Sequence, residues 1–481
     1  MVTLLLIGLA ARLPPLTANR FHQDEAIYSY WGRLIASGQD PLLITYPVDK
    51  PPFLPYLLAL IFRVFGVSEV TARLPGVAAS VLTIALTYGL ARRVYGAGPA
   101  LVAAAIMALS PFNILFAPTA FTDPLLVMWV VAALWCAVGG RRFWAGVFLG
   151  LAMATKQQGV LFAPLVLAGG AAFWVSGSKF RVWRELAAFG AGFALPMAAV
   201  TLWDAQRWHV QPSYFEKGLT SYGGLMLAPF AEWGKRCGEW LVWLRYVTAS
   251  PVLNLVLLVG VPLLLWASRR EVRTSPAARF DFVLAGFVIL YLLAHWLLTF
   301  NVWDRYLLGL VPLLAMLLGR VVWLAGRLLS GVGVGRAASP AYKISATALV
   351  VILLAHPAWQ AAHSGYPVGG DHWAYDGIDA VADYLREEMP PGSALYHRYL
   401  GWHYLFYLFD VPVDLRWYSS PSRLAQDAQH KSDVPRYVAL PGWKPRLPVQ
   451  AALRRVGLTL RPLFRTVRAD GTMSFTVYRI E

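Results

Sequence analysis

Apolar stretches recur along the chain from Met1 to about Pro357, and they confine this part of it to a lipid bilayer. In hydrocarbon no water satisfies backbone N–H and C=O groups, so such stretches can only be helices or closed barrels. Helical spans need about 20 residues each. Composition agrees: 58% of the 481 residues are hydrophobic and 14% are charged, with mean hydropathy +0.52. Soluble domains carry about a quarter charged residues. Hydropathy places spans at 1–16, 73–91, 98–115, 124–138, 143–155, 158–176, 185–203, 250–267, 280–299, 305–323 and 343–357. The expected fold is a polytopic α-helical membrane protein with about 11 transmembrane helices.

The first segment, Met1 to Leu16, is short for a span. It lacks the basic start and small-residue cleavage site of a signal peptide. It reads as a first transmembrane helix, with a start codon placed late as one explanation of its length. After Pro357 the pattern changes to scattered charges and short alternating segments. Two domains are expected, 1–357 in the membrane and 358–481 outside it. A helix over 376–389, a turn at Pro390-Pro391-Gly392, strands over 394–399, 434–440 and 472–479, and a helix near 449–456 make the second a small α/β domain.

Net charge is +16, yet the 14 basic and 12 acidic residues after Pro357 nearly cancel. The excess sits in short membrane connections: Arg92-Arg93, Arg141-Arg142, Lys179/Arg181/Arg184 and Arg269/Arg270/Arg273/Arg279. This is the positive-inside pattern, not a nucleic-acid patch. With these connections cytoplasmic and an odd span count, the N-terminus is inside and the C-terminal domain outside. A multi-pass protein of the plasma (inner) membrane follows, its C-terminal domain extracytoplasmic. Asp24, Glu25, Lys50, Asp123, Lys156 and Arg305 then share the outer face. Cys136 and Cys237 fall on a predicted span and a distant loop and are not expected to pair.

The first outer loop, 17–71, is too apolar for a simple connector. Ile27, Trp31, Leu34 and Ile35 have helical spacing, which suggests an interfacial amphipathic helix over 24–37. Pro51 and Pro52 suit the start of a second short helix over 53–66. The loop from Asp204 to about Ala249 holds Trp208, Tyr214, Tyr222, Trp233, Trp240 and Trp243. It reads equally as an interfacial aromatic belt or as a lid over a lipid or sugar cleft.

Six positions carry candidate chemistry. Asp24 and Glu25 could simply offset a helix dipole. Alternatively one is a general base for an acceptor hydroxyl and its neighbour supports it, since adjacent side chains diverge by about 100° on a helix. Lys50, in Asp49-Lys-Pro-Pro, is a snorkelling lysine or a phosphate contact. Arg305, in Asp304-Arg-Tyr306-Leu, is an anchor or a planar phosphate ligand. Asp123, before Pro124, is an N-cap or a site residue. Lys156, in Thr155-Lys-Gln-Gln-Gly159, is an ionisable group at a break in an apolar stretch, a functional candidate by default. His295 is single on an apolar helix, and His372, His397 and His403 lack metal-ligand spacing. No phosphate-binding Walker motif, Gly-x-Ser-x-Gly or dinucleotide glycine motif is present, so an ATP-driven transporter or serine hydrolase has no support.

In order and spacing these motifs resemble the GT-C membrane glycosyltransferases, in particular the aminoarabinose transferase and protein O-mannosyltransferase-like group. The resemblance covers roughly residues 4–357. It implies a polyprenyl-phosphate-linked sugar donor, a lipid, glycan or protein acceptor, membrane lipids as surroundings, and inverting transfer at the outer face. It implies Asp24 as base, Lys50 and Arg305 as donor-phosphate ligands, and Asp123, Lys156 and Tyr306 as further substrate-binding positions. Some relatives hold a divalent metal beside the acid preceding the lysine, Asp49 here. No histidine pair accompanies Asp49, so no metal site is predicted and no cofactor is assigned. After Asp24-Glu25 the family often has a basic or aromatic residue and then Tyr, where this chain has Ala26-Ile27-Tyr28. Two other functions remain open: a lipid-linked sugar transporter, and a membrane scaffold with a glycan-binding outer domain.

Overall fold

The computed structural model describes residues 1–173, 179–221, 226–329 and 340–481. They form two compact units: Met1–Leu16 with Leu34–Gly369, and Thr17–Arg33 with Gly370–Glu481. The chain passes between them at Gly369/Gly370, not at 357/358, because the helix Pro340–Ala362 continues through Pro357. The stretch 17–33, from the first loop, belongs with the C-terminal residues.

The first unit is helical. Among the described residues six helices are long and apolar enough to cross a membrane: Glu69–Tyr95, Val182–Ala205, Pro251–Ser268, Pro276–Leu297, Asp304–Leu328 and Ile344–Ala362. Counting the bent pair Val2–Ala18 and Gln23–Ser37 as one span gives up to seven. By this measure, the expected count of about eleven is not confirmed. Helices do form at the other predicted positions, but Ala97–Leu109, Asp123–Val138, Arg142–Thr155 and Gln157–Ala171 are short. Their breaks have local causes. Pro111 restarts a separate helix, Pro111–Phe116, and Lys156 adopts an extended conformation that ends Arg142–Thr155. Residues 174–176 of the predicted span 158–176, and Tyr222, lie outside the described residues.

Small residues let these helices approach closely, as membrane packing favours. A Cβ at Gly146 would lie 2.0 Å from the Phe189 carbonyl oxygen, and one at Gly192 2.0 Å from that of Phe143. Arg142–Thr155 and Lys179–Ala205 thus meet backbone to backbone. Arg12 is fully buried and donates to Ser80 Oγ at 2.9 Å and to the carbonyls of Ala108 and Met107 at 3.0 and 3.2 Å. It ties its own helix to two others. The short helix Phe53–Phe65 follows Pro52 as expected and stops at Gly66, whose φ of +79° suits glycine.

The second unit is a five-stranded mixed sheet: β1 Ala394–His397, β2 Asp414–Trp417, β3 Arg436–Pro441, β4 Leu460–Val467 and β5 Met473–Ile480. Their order is β2-β1-β3-β5-β4, with β1 parallel to β2 and β3, and β5 antiparallel to β3 and β4. Alternation sends Leu395, Tyr437 and Val477 to one core with the helix Ile378–Glu388. It sends Tyr396, Val438 and Tyr478 to the other, with the helices Pro421–His430 and Leu447–Arg454. The helix Gln23–Ser37 begins in this unit. Its Ala26 and Trp31 are fully buried, and Tyr30 packs against Trp402 and Phe409. Arg33 pairs with Asp410 at 3.0 Å and lies over the Phe409 ring at 4.3 Å.

Candidate active site

In the first unit the helix Asp123–Val138 has Thr122 as its N-cap, so Asp123 occupies the first helical position and Pro124 the second. Asp123 does not cap; its carboxylate accepts from Lys156 Nζ at 2.6 Å, with both side chains 4% exposed. Lys156 reaches it from the extended break after Thr155. Its ammonium also lies 4.9 Å from the Tyr306 ring centre. A buried lysine thereby obtains both a counter-charge and an aromatic face, as burial requires.

Tyr306 belongs to the 3-10 segment Asp304–Leu310, which enters the helix Val311–Leu329. Its carbonyl accepts from the Tyr291 hydroxyl at 2.9 Å, and its ring faces His295 at 5.5 Å. Arg305 extends over Trp303 at 4.3 Å and Phe121 at 5.4 Å. Asp304 shapes this turn by accepting from the backbone N–H of Arg305 at 2.8 Å and of Gly369 at 2.9 Å. Lys50 is buried and pairs with Asp49 at 3.3 Å. The Asp49 carbonyl in turn accepts from Gln157 Nε2 at 3.0 Å, so Lys50 is tethered next to the Lys156 break.

Asp123, Lys156, Arg305 and Tyr306 thus come together, with Lys50 joined through Gln157. Each cation has an acid beside it in sequence or space, which keeps the group near neutrality. Such a group can take up an anion by exchanging carboxylate contacts for those of the ligand. Asp304, Gln157 and Tyr291 were not singled out from sequence, and His295 was set aside there as a lone histidine on an apolar helix. The adjacency of Asp304 to Arg305 and of Gln157 to Lys156 was their only signal. Among the described residues no three His, Cys, Asp or Glu side chains converge as a metal-ligand cluster.

Asp24 and Glu25 lie in the second unit. Glu25 is fully buried and accepts from the His22 backbone N–H at 2.9 Å, while the Asp24 N–H donates to His22 Nδ1 at 3.1 Å. This reciprocal arrangement caps the helix Gln23–Ser37 and resembles a capping box with His22 in the cap position. Glu25 therefore has a structural use, and Asp24 stands partly exposed beside it. Around them are residues that sequence reasoning set aside. Tyr375 stacks on His403 at 4.3 Å and meets His22 edge-on at 6.3 Å. Burial, then the charges of Asp24 and Asp371, pushes the Tyr375 hydroxyl up to about 12. Burial, opposed by a bond to the Phe21 carbonyl, holds His403 down to about 4. No metal-type spacing marks these residues, so only packing reveals the group.

Residues 49–203 match the family model described as dolichyl-phosphate-mannose-protein mannosyltransferase. YycA of Bacillus subtilis (strain 168), which carries a mannosyltransferase name, is 27% identical over 146 residues. That alignment covers 29% of this chain, and the chain spans about a fifth of the relative's length, 21%. Over the whole chain the fold is similar to ArnT from Cupriavidus metallidurans bound to undecaprenyl phosphate. The TM-score is 0.66 at 16% identity, covering 99% of this chain and 97% of that one. AglB from Archaeoglobus fulgidus, in complex with an inhibitory peptide and a dolichol-phosphate, aligns with TM-score 0.54 at 14% identity, covering 98% and 73%.

Proposed function

We propose that the chain is a membrane glycosyltransferase of the GT-C type, an inverting enzyme using a polyprenyl-phosphate-linked sugar, a reading supported by the family-model match and the shared fold. The acceptor is a hydroxyl on a lipid, glycan or protein. Transfer takes place at the extracytoplasmic face of the plasma membrane. The observation that carries this reading is the buried group of Lys50, Asp123, Lys156, Arg305 and Tyr306, much of it within the family-model match.

The chemistry follows from the leaving group. The donor is a phosphodiester with one negative charge. As the bond between the anomeric carbon and phosphate oxygen breaks, the lipid phosphate gains a second charge. It needs cations and no proton, and Lys50 and Arg305 are assigned to it. The attacking hydroxyl must lose a proton, and Asp24 is assigned as its base. Glu25 holds the helix start that carries Asp24. Attack opposite to the leaving phosphate inverts the anomeric centre.

The test is Asp24→Asn, assayed for sugar transfer from a polyprenyl-phosphate sugar pool in liposomes. Turnover should fall by about 100- to 10,000-fold while donor binding persists. Near-parental turnover at equal donor occupancy removes Asp24 as the base.

A further inference from the structure

The second unit carries a crevice with no part in the steps above. β1 lies between β2 and β3, all three parallel, so the chain leaves β1 toward one side and returns on the other. In open α/β sheets such a reversal opens a ligand-binding crevice at the carboxyl ends of the strands. One hollow lies there, and a second runs beside it along β2 and the helix Pro421–His430. The second, of about 470 Å³, is lined by Arg416, Trp417, Arg423 and Asp427 among others. The first, smaller at about 120 Å³, lies where β1 and β3 end, beside Tyr399 and Lys444. Tyr418 lines both, so the two hollows are neighbours, and they are taken together as one groove.

The lining is preorganised and cationic. Arg416 donates through Nε to Asp414 at 2.7 Å and through Nη1 to Asp427 at 2.9 and 3.1 Å. The Tyr396 hydroxyl donates to the same Asp427 at 2.7 Å. These bonds fix the guanidinium plane and leave Nη2 for a ligand. Arg423 stands in the first turn of Pro421–His430, which has no acid there. Arg398, Arg423 and Lys444 have no carboxylate partner among the described residues. Trp417, 65% exposed, adds a flat aromatic face, and Tyr399 adds another with Lys444 5.0 Å from its centre.

Unpaired cations call for an anionic ligand. Exposed aromatic faces suit the apolar faces of sugar rings, and Asp427 and Gln426 suit their hydroxyls. The turn after β1, Arg398-Tyr399-Leu400-Gly401, has a single glycine and not the Gly-x-Gly-x-x-Gly run that lets a backbone close on a nucleotide pyrophosphate. We propose that this groove binds an acidic glycan. If the transferase reading above holds, on which this part rests, that glycan is the acceptor, held by the same compact unit that carries Asp24.

The test uses the full-length protein in detergent and isothermal titration. The probes are trigalacturonate and a phosphorylated mannotriose, each against its neutral counterpart. At least one acidic probe should bind, about tenfold or more tighter than its neutral form. Trp417→Ala and Arg423→Gln should each weaken binding by about tenfold. Both side chains are exposed, and an unchanged unfolding temperature checks that the fold survives. Inorganic phosphate at the same concentration should not displace the glycan. No binding of either acidic probe, parental binding by both variants, or full displacement by phosphate overturns the proposal. Polyprenyl phosphate binding on the same samples separates the two readings. Protein that binds glycan but not polyprenyl phosphate keeps the groove and loses the transferase; the opposite pattern loses only the groove.

Discussion

The Asp123–Lys156 pair allows the sharpest test of the first unit. At 2.6 Å and an effective dielectric of about 20, the Coulomb attraction is about 6 kcal/mol. Desolvation of two nearly buried ions costs several kcal/mol each, so the pair as a whole is close to neutral for stability. Removing one partner is different, because the other is left charged and buried. Asp123→Asn and Lys156→Met should each destabilise by about 3–5 kcal/mol. The double variant has no orphan charge and should lie within about 2 kcal/mol of the parent, a coupling of about 3 kcal/mol or more. Unfolding in a detergent titration can be followed with a thiol-reactive dye, since Cys136 is free and buried. Single variants that each cost under about 1 kcal/mol, and that add in the double, would refute the reasoning.

Lys50→Ala and Arg305→Ala should each weaken polyprenyl phosphate binding by about 1.5–3 kcal/mol, the worth of a charge-assisted contact, and Lys50→Arg should be milder; parental affinity in a binding titration removes the residue from the phosphate. His403 offers a pH test. Its folded value near 4 lies below the ordinary 6.5, so the unfolded chain takes up the proton first as pH falls. Its contribution is present in full above pH 6.5 and is lost between 6.5 and about 4, at up to about 1.4 kcal/mol per pH unit. His403→Gln should flatten that part of the stability profile measured on the whole protein, and an unchanged slope rejects the assignment. For sidedness, Ser432→Cys should react with an impermeant thiol reagent in intact cells. Labelling only after permeabilisation would place the C-terminal unit inside.

Much of the second unit was legible because its signals are local. The helix expected over 376–389 forms as Ile378–Glu388, and the strand expected over 434–440 as Arg436–Pro441. The missed elements have weak signals. β2 is four residues, Asp-Leu-Arg-Trp, on the sheet edge, and β4 contains Pro462 and two register shifts. In the first unit hydropathy found the helices, several of them shorter than a full-length span. The break at Lys156 was legible, but a hydropathy window does not register the helix restart at Pro111 inside the expected span 98–115.

The sequence by itself determined that the part of the chain up to about Pro357 is built of apolar helices of a multi-pass membrane protein, and which ionisable groups stand near their ends. These are properties of consecutive residues, set by hydropathy and by backbone preferences a few positions wide. Tertiary structure alone decided the pairings. Asp123 meets Lys156 across 33 positions, and Asp49 meets Gln157 across 108. It separated Glu25, spent on a helix cap, from Asp24, and it joined residues 17–33 to a sheet that begins at Ala394. A buried charge must find a counter-charge or hydrogen-bond partner wherever packing brings one within reach, and no local pattern records which one that is.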